Sequence, residues 1–329
     1  MAGPAWPPEA FLGSLTGKRV VLDEIHRLAN PSELLKIAAD HFPDVHVLAT
    51  GSSTLAATRK FRDSLTDRKN TLWLTPAIQA DSKPLGVRSL EHRLHRGGLP
   101  PFLLAETFPE REFQGWLDDY WSKDIQELFR IERRHSFLRF TELVLAASGG
   151  IFEATRFATP CEVSRTTITN YLSVLESTSV AHVIRPFTTN KTSELVSAPK
   201  VFGFDTGFVS HVRGWDTPRK DDLGTLWEHF VLNEIHANLQ TRDVRYWRDK
   251  QGHEVDFVLA RRGKPPIAIE CKWSADHFDP GGLTVFGKRY PKATAYVVAH
   301  DVDRPFRRKA GELEVVVVGL AALIRRLTA

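Results

Sequence analysis

The chain has 329 residues, 42% of them hydrophobic, enough for two or three domains with real cores. A net charge of +4 and a pI near 9.0 are compatible with a nucleic-acid partner without demanding one. Cys161 and Cys271 are the only cysteines, which excludes a disulfide framework. No apolar run reaches the length of a membrane span, and the N-terminus lacks the basic region and apolar core of a signal peptide, so a cytoplasmic location is expected.

In chain order, Lys18-Arg-Val-Val-Leu-Asp23-Glu24 is an apolar strand ending in two acids, and Val45 to Ala49 is a second strand followed by Thr50-Gly-Ser-Ser. Pro31 to Ala39 between them has helical apolar spacing. That order predicts a βαβ unit with parallel strands. It resembles the Walker B and sensor strands of P-loop ATPases, where one acid meets the Mg²⁺ of bound nucleotide and the next a hydrolytic water. By that resemblance Asp23 and Glu24 stand at Walker B and Thr50 at the sensor. Arg68, in Ser64-Leu-Thr-Asp-Arg68, is expected to be an arginine finger. The sequence contains no Gly-x-x-x-x-Gly-Lys-[Ser/Thr] loop, and Gly13-Ser-Leu-Thr-Gly17-Lys18 has the wrong spacing for one. Either the chain is truncated at its N-terminus or this module has lost nucleotide binding. The plain alternative is a strand end carrying solvated acids.

The middle of the chain reads as helices over 116–134 and 137–147, then a winged helix-turn-helix over 152–187. A short helix over 153–158 precedes a turn at 159–163, and Ser164 caps a recognition helix running to about Ser177. Ile168, Tyr171, Leu172 and Leu175 face inward in this reading. Arg165, Thr166, Thr169, Asn170 and Ser173 face out, residue types suited to phosphate and base-edge contacts. Strands over 180–186 and 200–204 form the wing around a polar tip at 188–193 that includes Lys191. DNA is the expected partner of this face. A packing module is the alternative, since Arg165 is the lone full charge on the outward helical face.

In the C-terminal third, Leu226 to Ile235 has the apolar spacing of a helix and carries Glu228. Glu254 to Ala260 alternates as a strand, Arg261-Arg-Gly-Lys-Pro-Pro is turn chemistry, and Ile267 to Trp273 returns. A hairpin symmetric about Gly263 sets Asp256 opposite Glu270 and Glu254 opposite Lys272. Directly opposed Cβ atoms sit roughly 5 Å apart. Two such carboxylates repel unless a proton or cation lies between them, and a hard ion such as Mg²⁺ or Mn²⁺ suits an all-oxygen site. A cross-strand salt bridge of Glu254 with Lys272 is the simpler alternative, but it does not explain an Asp facing a Glu.

Acid, then Glu-x-Lys, resembles the PD-(D/E)XK nuclease core. The resemblance implies that Asp256 and Glu270 hold a metal, helped by the Cys271 carbonyl, with Lys272 near the attacking water and Glu228 added from the helix. Together with Ala198-Pro-Lys-Val-Phe-Gly-Phe-Asp205-Thr-Gly207, the order of motifs over residues 18–320 resembles prokaryotic AAA-type ATPases with a PD-(D/E)XK-like C-terminal domain. The implied fold is α/β. It comprises a partial parallel-sheet ATPase remnant (1–110), a helical and winged-helix part (111–195) and a mixed α/β nuclease-like domain (196–329). The implied function is a DNA-associated protein with metal-dependent phosphodiester hydrolysis. ATP binding is also implied, against the missing Walker A loop and the altered Thr75-Pro-Ala-Ile-Gln-Ala-Asp segment. A non-catalytic DNA-binding or regulatory protein with relic sites is one alternative. Another is a remnant whose bare sheet edge recruits partner strands.

Overall fold

The computed structural model describes residues 7–51, 65, 67–129, 131–188 and 198–329. Strands β1 (Arg19–Leu22) and β2 (His46–Ala49) pair in parallel, Val20 beside Val47 and Val21 beside Leu48, with the Pro31–His41 helix between them in sequence. This is the predicted βαβ unit. Leu12, Leu34, Ala38 and Val45 form its small core, with Val20, Leu22 and Val47 packed against it. The other face is bare: Val21 is 65% and Leu48 59% exposed. Parallel sheets ordinarily have both faces covered.

The helix expected over 116–134 starts earlier, at Glu110, where Glu110 and Glu112 sit in the first turn and favour the helix dipole. It runs to Asp119, widens into a π-turn over Tyr120–Ile125 and resumes over Gln126–Phe129. The next helix, Arg134–Ala146, starts three residues before the expected Phe137.

The remaining strands form one nine-stranded mixed sheet. They are β3 (Gly150–Ile151), β4 (Ala181–Pro186), β5 (Lys200–Gly203), β6 (Arg245–Arg248), β7 (Glu254–Leu259) and β8 (Ile267–Lys272), then β9 (Thr294–Ala299), β10 (Phe306–Ala310) and β11 (Leu313–Val318). Their spatial order is β10-β11-β9-β8-β7-β6-β4-β5-β3. The expected wing strands β4 and β5 do pair antiparallel, His182 against Phe202. They are not a separate unit, because β4 also runs parallel to β6, with Arg185 beside Arg245. Strands from before and after the expected 195/196 boundary thus share one sheet.

The Arg165–Ser177 helix forms as its sequence predicts. The Ser164 side chain accepts from the Thr167 amide, and Ile168, Tyr171, Leu172 and Leu175 are buried. They pack with Phe137, Phe140 and Phe157. Each such full burial contributes about 1.5–3 kcal/mol.

The Lys220–Leu239 helix organises the C-terminal half. Asp222 accepts from the Arg219 amide at its start, and Gln240 ends it in the left-handed region at φ 48°. Leu226, Trp227, Phe230, Val231 and Ile235 are buried against Phe257, Ile269 and Val298 of the sheet. A helix apolar on most of its circumference is an interior helix. The Gly281–Arg289 helix supplies Leu283 and Phe286 to a separate core with Val255, Val258 and Val297.

Candidate functional site

The β7–β8 hairpin has the predicted register. Phe257 stands opposite Ile269 and Leu259 opposite Ile267, which sets Asp256 against Glu270. Gly263 is at the tip with φ +73°, where an L side chain is strained. Beyond Phe257–Ile269 the ladder gives way to a side-chain bond: the Cys271 amide donates to Asp256 Oδ2 at 2.8 Å. The carboxylate is thereby fixed by the backbone of the facing strand.

The expected pairing of Glu254 with Lys272 does not form. Lys272 Nζ instead donates to Glu270 Oε1, two residues away on its own strand, at 2.8 Å. Glu254 turns toward Lys200, whose Nζ lies 2.6 Å from Glu254 Oε1. The same ammonium donates to Glu228 Oε1 at 3.0 Å and lies 3.9 Å from Asp256 Oδ1. A central buried cation outcompetes the edge lysine because it reaches three carboxylates at once. Lys200 was not among the residues the motifs singled out. Its signal is a lone cation heading the otherwise apolar Lys200-Val-Phe-Gly strand, where it is only 5% exposed. A lysine buried there must have acidic partners.

Four carboxylates and two ammonium groups thus meet. Burial, then the charge of Asp256, pushes the Glu228 carboxyl up to about 7. The same two causes in the same order push Glu270 up to about 8, with Lys272 opposing. Burial pulls both lysines down, but the carboxylates more than reverse it, and Lys200 and Lys272 stay protonated. Glu270 Oε2 is buried with no hydrogen-bond partner among the described residues.

That orphaned oxygen and the facing acids fit a hard divalent cation. Among the described residues no three His, Cys, Asp or Glu side chains converge as a cage. Mg²⁺ does not need one, since it is commonly held by one or two carboxylates and keeps several waters. Asp256 and Glu270 are the residues placed to hold it.

A cleft of about 370 Å³ opens beside these groups, lined by Glu228, Asp256, Cys271, Lys272, Trp273 and His277. Lys220, Asp221, Gly224 and Thr225, from the first turns of the Lys220–Leu239 helix, line it as well. That first turn carries Asp221 and Asp222 beside Lys220, so its charge is mixed.

The other sequence candidates lie elsewhere. Thr50 Oγ1 donates to Asp23 Oδ1, and the Glu24 amide approaches Thr50 Oγ1 at 3.4 Å, so Asp23, Glu24 and Thr50 come together. Arg68 Nε donates to Asp40 Oδ1 on the Pro31–His41 helix at 2.6 Å. Arg165, Thr166, Thr169 and Asn170 are exposed on one helix face. Lys191, Ser64 and Thr66 fall outside the described residues.

Asp205 now has a physical role. It is 2% exposed and accepts from the Gly98 amide at 2.6 Å and the Gly207 amide at 2.8 Å, capping the Thr206–Val212 helix. A Cβ on Gly97 would lie 1.9 Å from Asp205 Oδ1, so that turn admits only glycine. Beside it Arg93 is buried, donating to the Ala77 carbonyl and to Thr206 Oγ1. Burial raises the Asp205 carboxyl, and the Arg93 charge works against that rise.

Comparison with known proteins divides the chain into three stretches. Residues 4–81 match a family model described as an AAA domain. Residues 87–219 match one domain of unknown function (DUF8612) and residues 223–322 another (DUF4143). The uncharacterized proteins Rv2008c of Mycobacterium tuberculosis and Mb2031c of Mycobacterium bovis are each 26% identical over 267 residues. The match covers 78% of this chain but 59% of each relative, less than two thirds of their length. A half-complex from the tetradecameric assembly of Thermococcus gammatolerans McrB AAA+ hexamers with bound McrC aligns over 94% of this chain and 99% of its own. Its 10% identity and TM-score of 0.27 are too slight to bear on the fold. Lys200 lies in the first matched domain of unknown function, and Glu228, Glu254, Asp256, Glu270 and Lys272 lie in the second. No helix among the described residues is long and apolar enough to cross a membrane.

Proposed function

We propose that this chain belongs to a DNA-associated AAA-type ATPase group whose C-terminal part hydrolyses phosphodiester bonds with Mg²⁺ or Mn²⁺. The observation that carries the reading is Asp256 set against Glu270, with a buried unpartnered oxygen on Glu270 and Lys272 bonded beside it.

The bound ion would supply a Lewis acid at the scissile phosphate. Asp256 and Glu270 would hold it, and the Cys271 amide fixes the Asp256 carboxylate. Lys272 presents a fixed positive charge at the cleft and orients the phosphate and the attacking water. Glu228 lines the same cleft and would accept a proton from that water. The exposed row Arg165, Thr166, Thr169 and Asn170 supplies duplex contacts in the manner of a winged helix.

Plasmid cleavage in Mg²⁺ or Mn²⁺ tests the proposal. Wild type should cut, and Asp256→Ala and Lys272→Ala should not. Equal cutting by all three proteins would remove these residues from the reaction.

A further inference from the structure

Lys200 has no part in the reaction proposed above, yet it is the best-buried charge of the cluster. Its side chain is 6% exposed, and its ammonium sits 2.6 Å from Glu254 Oε1, 3.0 Å from Glu228 Oε1 and 3.9 Å from Asp256 Oδ1. The rings of Phe202 and Tyr246 lie 5.9 and 6.0 Å from it. A buried ammonium is retained only where carboxylates compensate its lost hydration. The acids therefore fall into two groups that share Asp256. On one side Asp256 faces Glu270, whose Oε2 is unpartnered. On the other, Asp256, Glu254 and Glu228 surround Lys200. A carboxylate shared between two cation positions is the arrangement that two-metal hydrolytic sites use to clamp both sides of a phosphate. Here one of the two positions already holds a covalently attached cation.

We infer that Lys200 is a built-in replacement for a second divalent ion, so that the site loads one ion per chain, on Asp256 and Glu270. The inference rests on the hydrolytic reading for the first ion. Three features favour a resident ammonium over a displaceable one. Lys200 heads β5, whose Val201 and Phe202 are 3% and 0% exposed, so its backbone is fixed. β5 is paired on both sides, with β4 and with β3. Withdrawing Nζ would take from Glu228 its 3.0 Å bond and leave Glu254 with the longer 3.5 Å contact to Arg248.

Mn²⁺ counting decides it, by calorimetric titration and by electron paramagnetic resonance of the bound ion, neither of which depends on turnover. Wild type should bind one Mn²⁺ and Asp256→Ala none. Lys200→Met, which keeps the length of the stem and removes the charge, should gain one ion over wild type and show a spin-coupled pair. Glu254→Gln, which keeps Lys200, should still bind one. Two ions in wild type, no gain in Lys200→Met, or loss of the ion in Glu254→Gln would each overturn the inference. If wild type binds none, the hydrolytic reading falls. The inference then stands or falls on whether Lys200→Met acquires an ion that wild type lacks.

Discussion

Glu270→Gln separates a carboxylate kept for chemistry from one kept for stability. Burial and Asp256 move the Glu270 carboxyl from 4.5 to about 8. At about 1.4 kcal/mol per tenfold change, full ionisation in the native state costs at most about 5 kcal/mol. Relaxation and the effective dielectric of real sites reduce that, and we expect about 2 kcal/mol at pH 8. The sign follows from the raised folded-state value. The native protein holds the Glu270 proton longer than the unfolded chain does. Its contribution is therefore fully present below about pH 4.5 and is lost as pH rises through about 8. Gln has no such titration. The variant should match wild type near pH 5 and exceed it increasingly toward pH 8, while losing any bound Mg²⁺. Glu228 carries the same sign in both proteins, so its slope largely cancels from the difference. Urea unfolding followed by tryptophan fluorescence at pH 5, 6.5 and 8, without divalent ions, measures it. A variant less stable than wild type at pH 8, or a difference that ignores pH, would refute the reasoning.

Further outcomes follow from the same geometry. Asp205→Ala removes the cap of the Thr206–Val212 helix and strands the Gly98 amide, and should cost about 2–4 kcal/mol in urea unfolding. An unchanged midpoint would dismiss its anchoring role. Ile168→Ala, at a site 0% exposed, should cost about 2–5 kcal/mol by the same assay without altering Mn²⁺ binding. If Arg165 contacts a phosphate, Arg165→Ala should lower the slope of log affinity against log salt by about 0.9. Fluorescence anisotropy on a labelled duplex reads this, and an unaltered slope would move DNA contact off that helix.

The legible parts of the sequence were those governed by local period and turn chemistry. Alternation around Arg261-Arg-Gly-Lys fixed the β7–β8 register, and with it Asp256 against Glu270. Three- and four-residue spacing placed Ile168, Tyr171, Leu172 and Leu175 inward. The βαβ order gave the parallel β1–β2 pair. What escaped depended on long-range partners. Lys200 meets Glu228, Glu254 and Asp256 across 28 residues and more, and no local pattern announces that meeting. Glu254 was drawn to Lys272 by hairpin symmetry, but a buried ammonium reached it first. Arg68 was read from its place in a motif, and its bond to Asp40 on the intervening helix had no signal in the sequence. The Tyr120–Ile125 π-turn breaks an apolar spacing that looks continuous in the sequence.

The segment Lys200-Val-Phe-Gly-Phe-Asp205 explains why the site spans two of the matched stretches. Lys200 is anchored in the acid cluster, and Asp205 is anchored to the Gly97–Gly98 turn that follows the AAA-type segment. Between them, Val201 and Phe202 are buried, and Phe202 joins the core under Trp227 and Phe257. Each buried charge is costly unless its partners are in place, so the two ends of this short segment require two distant parts of the chain to be folded together. Further ties run the same way: Asn233 donates to the Pro76 carbonyl at 3.0 Å, and the Trp73 amide donates to Gln240 Oε1 at 2.9 Å. The expected consequence is one cooperative unit covering β4 to β8 and the 73–98 stretch. Native-state hydrogen exchange should then show the amides of Val201, Phe202, Phe257 and Ile269 opening with a common free energy, and Asp205→Ala should lower all four together. Exchange of the β5 amides at a lower free energy than those of β7 and β8 would mean that Lys200 rides on a separately opening strand, and the acid cluster would have to tolerate its departure.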